Sequence, residues 1–167
     1  MKVNDELIRQ AEQWNDFKAN KNTAKKNDPE KQRELTVLGN LAEIIFNRTK
    51  WRCKNLEFPR LIRISETDRQ ADFIVKDRRV DVKVKLGNEY LKPFYEVSIQ
   101  HSQANSNTDW YAFYHYNRIE KDINFLGWIS KDSFFKKAIF RPKGYVYKNN
   151  GHPVENDVWQ LKISELE

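Results

Sequence analysis

The sequence predicts a mixed α/β chain, an α+β arrangement with a mixed sheet, and three observations point to it. Apolar residues recur at spacings of three and four through the first fifty positions, the period of a helix face. From Ala71 onward the period changes to two, with Val80, Val82 and Val84 alternating against Asp81, Lys83 and Lys85, as strand side chains do. Beyond Asp109 come aromatic-rich runs of strand composition, Trp110 to Tyr116 and Ile123 to Ile129.

Taken in order, Asn4 caps a first helix from Asp5 to Lys18, with Leu7, Ile8, Ala11, Trp14 and Phe17 on one stripe. Ala19 to Pro29 is polar, lysine-rich and proline-ended, and reads as a linker. A second helix covers Glu30 or Lys31 to Arg48 and buries Leu35, Leu38, Leu41, Ala42 and Ile45. Glu43 lies off the centre of that stripe, beside Gly39 and Asn47. Trp51 to Arg60 is irregular, Leu61 to Ser65 forms a short edge strand, and Glu66 to Asp68 turns the chain and offers alternative acids. A hairpin follows, Ala71 to Val75 and Val80 to Lys85, joined by a four-residue turn, Lys76 to Arg79. That turn sets Val75 opposite Val80, Ile74 opposite Asp81 and Asp72 opposite Lys83. A third strand, Phe94 to Gln100, carries Glu96, Ser98 and Gln100 on one face and extends the polar face of Asp81 and Lys83. His101 to Thr108 is read as a short crossover helix, and Lys131 to Lys137 as another short helix. Arg141 to Lys148 is basic and aromatic, and Val158 to Ile163 is the last strand.

The chemistry concentrates on the hairpin. Two carboxylates from adjacent strands, Asp72 and Asp81, repel unless one takes a proton or a cation binds between them. Hard oxygen donors suit Mg²⁺, which takes one or two protein carboxylates. Such an ion polarises a phosphoryl oxygen, and a lysine beside it holds or helps deprotonate an attacking water. The same alternation of charge also arises on the solvated face of an exposed hairpin.

Asp72, then eight residues, then Asp81-Val82-Lys83 resembles the core motif of the PD-(D/E)XK nuclease superfamily, which holds many restriction enzymes, junction resolvases and repair nucleases. The resemblance runs from about Gln32 to Ile129. It implies a restriction-endonuclease-like αβββαβ core, here with an added N-terminal helix and C-terminal strands. It also implies a glutamate on the preceding helix, the place of Glu43, and a glutamine ending the third strand, the place of Gln100. Ala71 stands where the family's name has proline. The implied function is a metal-dependent DNA endonuclease with Asp72, Asp81 and Glu43 around Mg²⁺ or Mn²⁺, Lys83 at the water, and Gln100 supporting that water or the phosphate. A catalytically silent nucleic-acid-binding or inhibitory module of the same fold, and an RNA nuclease, remain alternatives.

Composition fits one domain of 167 residues, with residues 1–29 as helix and linker, 30–130 as core and 131–167 as extension. Lys and Arg exceed Asp and Glu by 30 to 24, a net charge of +6 that suits a polyanionic partner. Tyr114, His115, Tyr116 and Arg118 are candidates for stacking on nucleic acid, and His101 and His115 for an auxiliary base. The single Cys53 and three histidines exclude an internal disulfide and the usual zinc ligand set, so a cytoplasmic setting is expected. No segment reads as a signal or membrane span, so no membrane partner is expected. Trp14 and Phe17 offer a surface for a possible homodimer.

Overall fold

The computed structural model describes residues 1–19, 29–50, 72–75, 77–147 and 153–167. The expected linker after Ala19, the irregular stretch, the edge strand at Leu61 and the acids Glu66 and Asp68 lie outside them. The order is α1 (Asp5–Ala19), α2 (Pro29–Lys50), β1 (Phe73–Val75), β2 (Arg78–Gly87), β3 (Glu96–Gln100), β4 (Trp110–Asn117), β5 (Asp122–Ser130), α3 (Lys131–Lys137), β6 (Ile139–Arg141) and β7 (Val158–Lys162). The described residues are thus mixed α/β, with three α-helices among them. One sheet runs β1-β2-β4-β5 and a second β3-β7-β6.

The chain divides into two compact units. One comprises Met1–Arg60, Val82–Tyr90 and Tyr114–Phe125; the other Leu61–Asp81, Leu91–Phe113 and Leu126–Glu167. β2, β4 and β5 give residues to both.

In the first unit, Asn4 Oδ1 accepts from the Leu7 amide at 2.9 Å, the capping bond its position predicted. Pro29 opens α2, where a missing N–H costs nothing. The apolar stripes bury Leu7 and Ala11 on α1, and Leu38, Leu41, Ala42, Ile45 and Phe46 on α2. Leu35, expected inside, is 40% exposed. Asn40 donates to the Ala11 carbonyl at 3.2 Å and ties the two helices together. The Arg118 amide bonds the Gly87 carbonyl at 2.9 Å, so β2 and β4 end side by side and run parallel.

In the second unit, the Asp109 amide bonds the Arg79 carbonyl at 2.9 Å, so the same two strands also begin side by side. β3 does not extend this sheet. It pairs antiparallel with β7 (Val97↔Leu161, Ile99↔Trp159, Gln100↔Val158), and β6 pairs with the other edge of β7 (Phe140↔Trp159). The inner face of the second sheet supplies Val97, Ile99 and Leu161 to a cluster with Tyr111, Phe113, Ile129 and Phe134. Phe134 is fully buried and meets Tyr111 and Phe113 at ring separations of 5.7 and 6.0 Å, within the range where aromatic pairs attract. The expected crossover helix is one 3-10 turn, His101–Gln103. Ser102, Asn105, Ser106 and Asn107 compete for backbone bonds there and disfavour a helix. α3 forms as predicted, capped by Ser130 accepting from the Ser133 amide.

Candidate functional site

The hairpin turn is shorter than expected. Val75 pairs with Arg78, Ile74 with Arg79 and Phe73 with Val80, which leaves two residues, Lys76 and Asp77, between the strands. Asp77 sits at φ 62°, the left-handed region that Asp and Asn tolerate better than most residues. The expected pairs Val75–Val80, Ile74–Asp81 and Asp72–Lys83 are therefore replaced.

The slip brings the acids together. Extending the Phe73↔Val80 register puts Asp72 level with Asp81 and not across from Lys83, and the Asp72 amide bonds the Val80 carbonyl at 2.9 Å. Asp72 is half-buried, and Asp81 is only 7% exposed. Two hard oxygen donors fit Mg²⁺, which keeps most of its shell as water. Among the described residues no group of three or more His, Cys, Asp or Glu side chains converges. Lys83 follows two residues on along β2 and is half-buried; Glu43, on α2, is half-buried in the first unit.

Gln100 and Glu96 are placed differently from the expectation. Both lie on β3 in the second sheet, where Glu96 faces Lys162 and Gln100 faces Val158. The polar face of β3 is thus no continuation of the β2 face. Sequence alternation fixes which residues share a face of a strand, but not which strand lies alongside.

The strand of Asp81 is held by a residue that the sequence reading passed over. Asp109 Oδ2 accepts from the Arg79 amide at 2.8 Å, and the Asp109 carbonyl accepts from the Lys131 amide at 2.8 Å. Together with the Asp109–Arg79 backbone bond, this pins the starts of β2, β4 and α3. Lys131 Nζ reaches the Ser106 carbonyl. The visible signal was an Asp at the junction of a polar loop and an aromatic strand, a position where Asp side chains bond nearby amides. Tyr111, next on β4, is fully buried. Burial pushes its hydroxyl pKa up, the neighbouring Ser106 opposes that, and the negative charge of Asp81 adds a lesser rise. Neither Tyr111 Oη nor Ser106 Oγ has a partner within hydrogen-bond geometry among the described residues.

The proposed stacking residues on β4 are interior. Tyr114, His115 and Tyr116 are 2%, 1% and 8% exposed, and Arg118 pairs with Glu34 at 2.8 Å. They serve the first unit's packing and leave no ring face for a base. A Cβ added at Gly87 would lie 2.9 Å from His115 Nε2, so a larger residue at that point of β2 requires the imidazole to shift. Burial holds the His115 pKa below the usual histidine value, partly offset by Asp122. His101 is exposed, and its Nδ1 accepts from Trp159 Nε1 at 3.1 Å.

Among the described residues no helix is long and apolar enough to cross a membrane. Neither family models, nor curated proteins, nor solved structures give a match to this chain.

Proposed function

We propose that this chain is a metal-dependent endonuclease that hydrolyses phosphodiester bonds, with DNA as its substrate and a restriction-endonuclease-like core. The observation that carries the proposal is the β1–β2 register, with Phe73 opposite Val80, which puts one acid level with the buried Asp81 of an Asp-Val-Lys strand. The core proposal draws support from α2 preceding an antiparallel β1–β2 hairpin, with β4 parallel to β2 on its other side. Parallel neighbours require a crossover, and here β3 and the 3-10 turn occupy it.

In this reading Asp72 and Asp81 would hold Mg²⁺, with Mn²⁺ able to replace it; no third acid joins them among the described residues, so the ligand role expected of Glu43 is not part of the proposal. When bound, the ion supplies positive charge against the phosphoryl and leaving oxygens. Lys83 Nζ would orient the attacking water, whose proton passes to solvent, and its positive charge would offset the charge developing on the phosphate. The support function expected of Gln100 loses its geometric ground with the placement of β3, and is not part of the proposal.

Two substitutions separate ligand from base. Asp81→Asn is expected to abolish cleavage and also the rise in unfolding midpoint that Mg²⁺ gives the parent, since binding to the folded state alone raises stability by about 2.7 kcal/mol at a hundred times Kd. Lys83→Ala is expected to abolish cleavage yet keep most of that rise. Parent-level cleavage by Lys83→Ala would remove Lys83 from the reaction.

A further inference from the structure

The second sheet has an outer face that the carboxylate chemistry does not use. Register places Ser98 and Gln100 of β3, Val158 and Gln160 of β7, and Ile139 and Arg141 of β6 on one side. The opposite side is the one built into the core. Two tyrosines from the segment after β6 lie over this face. Tyr147 Oη donates to Gln160 Oε1, and the Tyr145 ring carries the Arg141 guanidinium at 4.5 Å from its centroid. The two rings meet edge to face at 5.3 Å.

Two cations, Arg141 and Lys143, stand at the β6 side of this face, with Asp157 bonded to the Lys143 amide. Glu96 is matched across the strands by Lys162. Arg141 makes no ion pair among the described residues, and its Nε is buried with no hydrogen-bond partner. Lys143 is exposed beside it, and only its backbone amide is engaged, by Asp157 Oδ1 at 2.7 Å. A guanidinium already stacked on an aromatic ring and lacking a carboxylate is set up for a phosphate. Exposed amide and hydroxyl groups at Gln100 and Ser98 offer hydrogen bonds along the same face.

We propose that the outer face of the β3-β7-β6 sheet binds single-stranded polynucleotide, with Arg141 and Lys143 on phosphates and the Tyr145–Arg141 stack as a platform for a base. Cationic edges with flanking aromatics bind single strands because every unpaired base exposes a π-face, which a duplex hides. The inference rests on the polynucleotide substrate proposed above but uses a different surface, and it gives Gln100 a place on that surface.

The test uses the full chain in chelator, with labelled oligothymidylate, oligouridylate of equal length, and a duplex of that length, read by fluorescence anisotropy. The parent is expected to bind single strands more tightly than duplex. Arg141→Ala should weaken single-strand binding by roughly tenfold, the scale of a lost cation–π stack and phosphate contact, and lower the salt slope by about one. Arg141→Lys, which keeps the charge and loses the planar stack, should fall between them and takes over the test if Arg141→Ala does not fold. The two oligonucleotides tell DNA from RNA. No single-strand binding by the parent, tighter duplex binding, or parent-level binding by a folded Arg141 variant would overturn the inference. Arg141-dependent binding without any metal-dependent cleavage would sink only the nuclease reading; cleavage with Arg141-independent binding would sink only this one.

Discussion

Asp77 decides where Asp72 falls. A residue at φ 62° is easy for glycine, tolerable for aspartate and strained for a β-branched side chain. Asp77→Gly is therefore expected to leave the unfolding midpoint within a few tenths of a kcal/mol or to raise it. Asp77→Val should cost about 1–3 kcal/mol and reduce metal-induced stabilisation along with it, because the two-residue turn sets the register. Urea unfolding with and without Mg²⁺ checks both. The pair of acids was legible in the sequence because alternation with valines marks strand faces. The register was not legible: it hangs on one backbone angle, and a four-residue turn satisfied the same pattern. His115 gives a second residue-scale expectation. Its folded pKa lies below the unfolded value, so the unfolded chain takes up the proton first as pH falls. Stability should be full above about pH 6.5 and decline as pH drops through the lowered folded value. Urea midpoints at pH 7.5 and 5 should differ less in His115→Gln than in the parent; an equal difference would remove His115 as the cause.

At the scale of elements, the helices and the β4–β5 hairpin follow from local periodicity and caps, and their bounds match the sequence reading within a few residues. α3 follows from Ser130 at its N-cap and Phe134 on its buried side. Phe134→Ala is expected to cost about 3–5 kcal/mol, measured by denaturant unfolding, since the ring fills the centre of the second unit's cluster. The β3–β7 pairing was beyond reach, because it joins segments sixty residues apart with nothing in the local pattern to name the partner. Gln100 was misplaced for that reason alone: its strand was identified, its neighbour was not. Gly87→Ala tests another inter-strand approach. With its Cβ 2.9 Å from His115 Nε2, the variant should lose roughly 1–3 kcal/mol, and a neutral effect would mean that His115 moves aside freely.

For the whole molecule, both described chain ends lie along β5, an edge of the first sheet. The Ile123 amide bonds the Met1 carbonyl at 2.9 Å in one unit, and Trp128 and Glu167 exchange backbone bonds at 3.1 and 2.9 Å in the other. An edge strand paired in this way is protected from joining a second chain's sheet. The chain carries a net charge of +6, an excess that suits a polyanionic partner. That excess was legible from composition, while the burial of Asp81 was not.

The central claim is metal-dependent phosphodiester hydrolysis at Asp72 and Asp81, and one measurement meets it most directly. Linear duplex, single-stranded DNA, branched DNA and RNA are incubated with the parent and with Asp81→Asn in Mg²⁺, in Mn²⁺ and in chelator. The account expects cutting of a DNA member by the parent in either metal, none in chelator, and none by Asp81→Asn. Cutting confined to RNA would change the substrate and keep the site. A folded parent that leaves all four intact in both metals, or an Asp81→Asn protein that cuts as the parent does, would contradict the account.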